Sequence, residues 1–265
     1  MTWISYAQNF EDVMLRRALR HVDRGFYIDV GAQHPRIDSV SRAFYEIGWR
    51  GVHVEPVPAY AKLLQEDRLD ETVIQAALGE SKGEVSFYEI PETGLSTMDA
   101  AIAEEHAQQG FSLHTIDVPL RTLASVFRQQ PKGTDIHWLK IDVEGAEERV
   151  LRGWGRSKAR PWVVVVESTL PLTEIPNHEI WEPLILQRGY QFVYFDGLNR
   201  FYLNDTHPEL QTHFSHGPCV FDDFALGGLA SAPFCRYIQG KPLSAPRFNE
   251  GLTSNRVCTL ISFTD

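Results

Sequence analysis

Short apolar runs alternate with amphipathic segments through most of the chain. The apolar runs predict strands at residues 26–30, 51–55, 72–78, 84–90, 136–142, 162–168 and 190–196. Helical periodicity lies between them, at residues 39–48, 58–67, 146–154 and 179–189. Because continuous apolar strands separated by helices are typical of a parallel sheet with both faces covered, the pattern predicts an α/β fold.

Three segments depart from this alternation. The stretches YQFVYFD at 190–196 and NRFYLND at 199–205 flank Gly197, which predicts a hairpin and so an antiparallel strand at one end of the sheet. Residues 91–119 are interpreted as an insertion with a helical middle, placed over the ligand-binding edge of the sheet. From residue 226 the chain is rich in Gly, Ala, Ser and Pro. We therefore predict a domain at 1–225, which begins with a helical extension, and an irregular tail at 226–265.

The composition narrows the class of protein. A chain of 265 residues with a formal charge of −10 fits one α/β domain with elaborations and disfavours a surface that binds nucleic acid. Its three cysteines, Cys219, Cys235 and Cys258, form no CxxC pair, so reduced thiols are expected. The N-terminus lacks a signal-peptide pattern, and the longest aliphatic run, at 163–166, is too short to span a membrane. We expect a cytoplasmic protein without a membrane span.

The stretch FYIDVGAQHP at residues 26–35 is a candidate nucleotide-binding turn. Asp29 and Gly31 lie at the carboxyl end of the first predicted strand of the sheet, the edge at which open α/β sheets bind ligands. Glu55 ends the next strand, close to the spacing of roughly 20 residues at which an acidic side chain meets ribose hydroxyls. The alternative is that Asp29 caps a turn and Glu55 is a solvated strand end.

The residues after Gly31 favour a particular nucleotide. A dinucleotide site uses further glycines to bring the backbone against a pyrophosphate, whereas this turn continues with Ala32, Gln33, His34 and Pro35. A ligand that has adenosine but no phosphate does not need that cradle, and S-adenosylmethionine (SAM) is such a ligand. His34 either acts as a general base or only supports the turn.

A second acidic motif, LKIDVEGAEERVL at residues 139–151, follows another buried strand. Asp142 and Glu144 are two residues apart, so in an extended segment both side chains point to the same side. They could take a proton from a substrate hydroxyl, or they could hold a divalent cation with Glu167 as third ligand, which is the less favoured interpretation. Alternatively, one of them caps the following helix.

Further polar residues are candidates for contact with a substrate. Ser96 and Thr97 lie in the GLSTMD segment of the insertion, where they could line the mouth of the site. Asp196, Asn199 and Arg200 lie at the turn of the last hairpin and offer planar polar groups suited to a hydroxyl-rich acceptor. Equally, these are ordinary turn-forming residues.

In combination, these motifs resemble the FkbM-type SAM-dependent methyltransferases. The resemblance covers about residues 5–225 and rests on SYAQNFEDVML, FYIDVGAQHP, GVHVEP, GLSTMD, LKIDVEGAE, YFDGLNRFYL and FDDF, in that order. The family implies a Rossmann-like class I methyltransferase fold, with a mostly parallel seven-stranded sheet, an antiparallel hairpin at one end and helices on both faces. It also implies SAM as methyl donor and, usually, O-methylation of sugars of surface polysaccharides or of natural products.

The resemblance also implies roles for individual residues. Asp29, Gly31 with Ala32, and Glu55 match the SAM-binding motifs, and Asp142 lies close to the methyl group. Ala76 and Ala77 leave room for the adenine ring. Within the N-terminal motif, Gln8, Glu11 and Asp12 are expected near the methionine end of SAM, unless they form a helix cap and a solvated face.

The sequence thus predicts direct transfer of a methyl group from SAM to a hydroxyl of a small-molecule or glycan acceptor. Asp142 is the first candidate for general base, with His34 and Glu144 as alternatives. Two other functions are weighed: an NAD-dependent oxidoreductase, which the absent phosphate cradle disfavours, and a non-catalytic SAM-binding or scaffolding module.

Overall fold

The computed structural model describes residues 2–228, and a seven-stranded sheet forms its centre. In spatial order the strands are β10 (Tyr190–Phe195), β11 (Asn199–Asn204), β9 (Val163–Glu167), β8 (Trp138–Ile141), β2 (Phe26–Val30), β3 (Arg50–Val54) and β4 (Thr72–Ile74). The order reverses on either side of β2, so the carboxyl ends of β2 and β8 flank a crevice of the kind in which α/β sheets bind ligands.

The sheet is mixed. Five strands, from β9 to β4 in the spatial order, run parallel to one another, whereas β11 is antiparallel to both β9 and β10. The predicted hairpin around Gly197 is therefore present. The α/β class is confirmed, but the parallel arrangement does not extend over all seven strands.

Helices cover both faces of the sheet. They are α1 (Glu11–Leu19), α2 (Arg42–Glu46), α3 (Pro58–Asp67), α4 (Ala100–Gln108), α5 (Leu123–Arg128), α6 (Glu147–Arg152) and α7 (Glu182–Leu186), with 3₁₀ helices at His178–Ile180, Pro208–Phe214 and Val220–Asp222. Side chains of α1 and α2 pack on one face together with Tyr27 and Trp138, which stack at 4.5 Å. Side chains of α5, α6 and α7 pack on the other face. Alternate residues of the central strands β2, β8 and β9 thus enter separate cores.

Two further sheets were not predicted. The strand expected at 72–78 is interrupted after Ile74, and its last two residues, β5 (Ala77–Leu78), join β7 (His114–Arg121) and β6 (Gly83–Glu89) in a three-stranded sheet. The helical middle of the insertion is α4, but its end is the strand β7, most of whose side chains are partly or fully exposed. A strand that is exposed in this way carries too little hydrophobic alternation to be recognised.

The N-terminal extension contains a strand as well as a helix. Strand β1 (Trp3–Ser5) pairs in parallel with β12 (Phe224–Leu226), so the first residue of the predicted tail, Leu226, lies opposite Ser5 in a strand. The rest of that tail, from residue 229, lies outside the described residues, as do Cys235 and Cys258. Within residues 2–228, none of the helices has the length and apolar character needed to cross a bilayer.

Candidate functional site

Three of the predicted site residues, Asp29, Asp142 and Glu167, lie on one face and at one edge of the central sheet. Because side chains alternate along a strand, Lys140 and Asp142 share a face with Trp138, and Glu167 shares the same face with Val163 and Val165. Asp29 lies on this face next to Lys140, its partner across the parallel ladder. Three acidic side chains and the ammonium of Lys140 therefore lie together at the carboxyl ends of β2, β8 and β9.

The turn after β2 packs closely against the segment around Asp142, and the contact is made at Gly31. Gly31 has φ +80°, and a Cβ at this position would lie 1.7 Å from the carbonyl oxygen of Asp142. The amide of Asp142 in turn donates to Val30 O at 3.0 Å, and the amides of Gly31 and Ala32 both donate to Val54 O. Only glycine permits this approach. The two motifs identified in the sequence therefore form a single structural unit.

Glu55 is a buried acceptor beside this turn. It is 4% exposed, and its Oε2 and Oε1 accept hydrogen bonds from the amides of Gln33 and Val57, each at 2.8 Å. A carboxylate oxygen can accept two hydrogen bonds, so each oxygen retains acceptor capacity for a ribose hydroxyl. Burial raises the pKa of Glu55 to about 7. The alternative of a solvated strand end is wrong for Glu55.

The pKa of Glu55 predicts how SAM affinity changes with pH. A ribose bound at Glu55 would donate its hydroxyls to the ionised carboxylate, so SAM affinity is expected to rise with pH through about 7, by up to about tenfold per unit below that value. Without ligand, the raised pKa means that Glu55 contributes stability in full below its unfolded pKa and loses it as pH rises through about 7. Calorimetric titration with SAM between roughly pH 6 and 8.5 measures the first effect. Glu55→Gln should flatten this pH dependence, and an undiminished slope in that variant would contradict the assignment.

Asp29 lies beside a buried polar network that the sequence analysis missed. Its Oδ2 is 3.9 Å from His53 Nδ1, and His53 Nε2 is 2.9 Å from Glu71 Oε2. Tyr27 donates to the other oxygen of Glu71 at 2.6 Å. At 3% exposure, Asp29 is not an exposed turn residue. The distance of 3.9 Å is too long for a hydrogen bond, and His53 Nδ1 has no hydrogen-bond partner within residues 2–228, so the network anchors β2 through Tyr27 and lies beside Asp29.

His34 is placed to brace the turn. Its Nδ1 accepts hydrogen bonds from the amides of Arg36 at 3.1 Å and Ile37 at 3.0 Å. A neutral imidazole has one acceptor nitrogen, so Nε2 then carries the hydrogen and cannot take a proton from a substrate. Burial also lowers the pKa of His34, which favours this neutral form. The geometry speaks against His34 as general base.

Substitutions of His34 should separate bracing from catalysis. Asparagine can accept the same two amide hydrogens in an Asx turn, so His34→Asn should keep turnover and thermal stability near those of the unmodified protein. His34→Ala should lower the free energy of unfolding by roughly 1–2 kcal/mol, because the amides lose their acceptor. A loss of turnover by His34→Asn of on the order of a hundredfold, with stability retained, would instead identify His34 as the base.

Asp142, Glu144 and Glu167 form the predicted carboxylate cluster. One carboxylate oxygen from each lies within 4.8 Å of the others. Burial, and next the charge of Asp142, raise the pKa values of Glu144 and Glu167 well above their ordinary range. The ammonium of Lys140 contacts Asp142 Oδ2. Burial would lower the pKa of Lys140, but Asp142, Glu11 and Asp29 raise it, so Lys140 stays charged.

Asp142 and Glu144 point toward each other as predicted, but the predicted reason, an extended segment, is wrong. Glu144 is not extended, since its φ is +51°, and the next residue, Gly145, has φ +90°. This bend, and not strand alternation, turns Glu144 toward Asp142. Thr97 holds the bend by donating to Glu144 O at 2.8 Å.

The predicted capping alternative also needs correction. The residue before α6 is Ala146, and the acceptor for the preceding turn is Glu147, whose Oε1 takes the amides of Val143 and Gly145 at 3.3 and 3.1 Å. Glu147 is 1% exposed, and burial raises its pKa to about 7. Asp142 and Glu144 are thus free of a capping role at this helix.

In the N-terminal motif, neighbouring acids have different surroundings. Asp12 is fully buried, and its oxygens accept from the Ser5 hydroxyl at 2.7 Å and the Tyr6 amide at 2.9 Å. It organises the N-terminal segment, so the prediction that it contacts the cofactor is not supported. Gln8 is exposed. Burial raises the pKa of Glu11 to about 8, and the positive charge of Lys140 opposes this rise.

The residues predicted to bind the acceptor do not form one group. Asp196 Oδ1 accepts the amides of Leu198 and Asn199 at 2.8 and 2.6 Å, which makes Asp196 a turn-forming residue. Arg200 is bound by Glu182 at 2.9 Å and lies over the ring of Phe192. Asn199 and Arg200 are adjacent in a strand, so they point to opposite faces, and Arg200 is removed from the site edge.

Asn199, by contrast, belongs to the same edge as the carboxylates. It lies opposite Glu167 in the ladder and donates through Nδ2 to Glu11 Oε1 at 3.0 Å. Ser96 accepts the amide of Ile90 at 3.0 Å and so stabilises its own loop. Ala76 and Ala77 are buried at the point where the chain passes from β4 to β5.

A cavity of about 470 Å³ opens beside this hairpin. Asn9, Phe10, Tyr194, Asp196 and Phe224 are among the residues that line it. Asn9 links the N-terminal segment to the hairpin by donating to Asp196 O at 3.1 Å. A second cavity of about 510 Å³ lies at the amino ends of β8 and β9, around residues 127–136 and 157–160, away from the carboxylates.

Lys140 is the functional candidate that the sequence analysis overlooked most clearly. A signal was present, because a lysine within the buried strand WLKI is unusual unless its ammonium is paired. Strand alternation would also have placed Lys140 beside Asp142.

Comparison with known proteins identifies a family. A family model described as the methyltransferase FkbM domain matches residues 29–192, which is more than half of the chain. Among solved structures, a TehB-like SAM-dependent methyltransferase from Corynebacterium glutamicum is similar with a TM-score of 0.40 and 9% sequence identity, covering 72% of this chain and 87% of that chain. No curated protein matches the sequence.

Proposed function

Since the chain belongs to the FkbM methyltransferase family, we propose that this SAM-dependent methyltransferase methylates a hydroxyl oxygen of a sugar, glycan or natural-product acceptor. The observation that supports SAM as the methyl donor is the buried Glu55 carboxylate beside a turn with a single glycine, whereas the choice of a hydroxyl oxygen rests on the resemblance to the family. This pair fits a ribose that bears no pyrophosphate.

The proposed SAM site follows the carboxyl edge from β4 to β8. Glu55 accepts the ribose hydroxyls, and the backbone at Gly31 and Ala32 gives the nucleoside close approach. Ala76 and Ala77 border the adenine. The amino-acid end lies toward Asp29, and the methyl group lies toward Asp142.

The proposed reaction is an in-line displacement. The acceptor oxygen attacks the methyl carbon, the C–S bond breaks, and its electron pair remains on sulfur, which gives S-adenosylhomocysteine. SAM is already activated, so the protein has to position the partners and receive the hydroxyl proton. Asp142 is the proposed proton acceptor, since Lys140 holds one of its oxygens in place and its side chain is 23% exposed. Glu144 is the second candidate.

We place the acceptor in the cavity beside the hairpin. Its lining combines aromatic rings of Phe10, Tyr194 and Phe224 with the polar groups of Asn9 and Asp196. Such a lining suits a sugar ring, because aromatic side chains pack against the C–H face of the sugar and polar side chains bind its hydroxyl groups. A part in polysaccharide biosynthesis and a cytoplasmic location stay predictions.

The test of O-methylation uses labelled SAM and a panel of sugars, oligosaccharides and hydroxylated natural products. The proposal predicts label in an ether that survives mild alkali, together with one S-adenosylhomocysteine per methyl group. Label on nitrogen or carbon would overturn the choice of oxygen. Binding of SAM without transfer to any member of the panel would favour the SAM-binding module instead.

A further inference from the structure

The cluster formed by Asp142, Glu144 and Glu167 brings three carboxyl groups together beside a single ammonium, that of Lys140. Oxygens from all three carboxylates lie within 4.8 Å of one another. Asp142 follows β8, Glu167 ends β9, and Glu144 is turned back toward both by its bend. Like charges this close are unfavourable in a buried site unless a cation lies between them or some of the carboxyl groups keep their protons.

Two of these carboxylates also have unused hydrogen-bonding capacity. Glu167 is only 7% exposed, and its Oε2 is buried with no hydrogen-bond partner within residues 2–228. The same is true of Glu144 Oε2. On the neighbouring strand, Asn199 lies opposite Glu167, and its Oδ1 is also buried and unpartnered in the described part of the chain. Buried polar atoms are almost always satisfied, so these oxygens point to a missing ligand.

Lys140 does not supply the missing charge. Its ammonium contacts Asp142 Oδ2, and its charge also interacts with those of Glu11 and Asp29. One ammonium therefore faces several carboxylates. Glu144 and Glu167 form no salt bridge with any basic side chain that the structure describes.

We propose that Asp142, Glu144 and Glu167 bind a divalent cation of the class that prefers oxygen ligands, Mg²⁺, Mn²⁺ or Ca²⁺. The donor set contains only carboxylate oxygens, with no thiolate or imidazole that would favour zinc or copper. Three protein ligands leave further coordination positions for water or for an acceptor oxygen.

The site explains why the bend at Glu144 is held so firmly. Thr97 fixes the carbonyl of Glu144, and Glu147 fixes the amides on either side of it. A cation that binds the acceptor hydroxyl would lower the pKa of that hydroxyl and assist its deprotonation. This use of the cation rests on the proposed function, whereas the cation site itself does not.

Titration of the full-length protein with Mn²⁺, followed by the EPR signal of the free ion, tests the site without SAM or acceptor. We expect one tightly bound Mn²⁺ per chain, displaced by Mg²⁺ or Ca²⁺. Glu167→Gln and Glu144→Gln should each weaken Mn²⁺ binding by on the order of tenfold or more, because each removes an anionic ligand. Glu104→Gln makes the same change of charge at an exposed position of α4 and should bind as the unmodified protein does.

Thermal unfolding without metal shows that the variants are folded. Both cluster variants should melt at or above the temperature of the unmodified protein, since each removes a repulsion between carboxylates. The proposal is overturned if Mn²⁺ stays free at millimolar concentrations with the unmodified protein, which would mean that the cluster holds protons. It is also overturned if both cluster variants bind Mn²⁺ as tightly as Glu104→Gln. Because no SAM is present, failure here leaves the proposed methyl transfer untouched.

Discussion

Replacing Gly31 with alanine should destabilise the protein strongly and abolish SAM binding. The φ of +80° alone costs an L-residue roughly 1–2 kcal/mol. The new Cβ would also lie 1.7 Å from Asp142 O, so the turn after β2 and the end of β8 must separate, which adds about 1–3 kcal/mol. We expect the free energy of unfolding to fall by roughly 2–5 kcal/mol in urea denaturation. The displaced turn would also carry Gln33, whose amide holds Glu55, away from its place.

Gly48→Ala is the matched control. Gly48 has φ +95°, but a Cβ there would meet nothing within 4 Å. This variant therefore isolates the backbone term, about 1–2 kcal/mol, and should bind SAM normally. If Gly31→Ala and Gly48→Ala unfolded at the same urea concentration, the close contact between Gly31 and Asp142 would not matter for stability.

Asp142→Asn should have the largest effect on turnover. The amide has nearly the shape of the carboxylate, but it can neither accept the hydroxyl proton nor act as an anionic ligand. Loss of a general base typically slows a reaction by about 10²–10⁴-fold. SAM affinity should change much less, since the proposed ribose contact is made by Glu55. The measurement is the rate of methyl transfer under saturating SAM.

The same assay on Glu104→Gln controls for the loss of a negative charge. Full turnover by Asp142→Asn would remove Asp142 from the mechanism and leave Glu144 as the base candidate. A parallel loss in Asp142→Asn and Glu167→Gln would favour a shared cation over a single proton acceptor, because Glu167 lies on a different strand.

The parts of the fold that were predicted well are those with a strong local signal. Helix α3 was predicted at residues 58–67 and spans Pro58–Asp67, where a proline in the first turn marks the start. Strand β2 and the position of Gly31 were predicted for a similar reason, since an apolar run ends in a glycine. In contrast, strand β7 escaped prediction because it faces solvent along much of its length.

The site was predicted in outline, but its contacts depend on long-range packing. Asn9 and Asp196 are 187 positions apart in the chain, and nothing in either segment reveals their hydrogen bond. Glu11 and Asp12 are adjacent acids, and only the tertiary structure shows that Glu11 approaches the sheet edge while Asp12 binds its own segment. The positive φ of Glu144 is equally hidden, because it depends on Thr97 in the insertion.

The most direct test of the account compares SAM, S-adenosylhomocysteine and NAD in equilibrium titrations of the full-length protein at about pH 8, above the pKa of Glu55. The account predicts one molecule of SAM or S-adenosylhomocysteine bound per chain and no binding of NAD. It also predicts that Glu55→Ala weakens SAM binding while the protein remains folded. Binding of NAD without SAM, or SAM affinity that Glu55→Ala leaves unchanged, would contradict the assignment of this edge of the sheet as the SAM site.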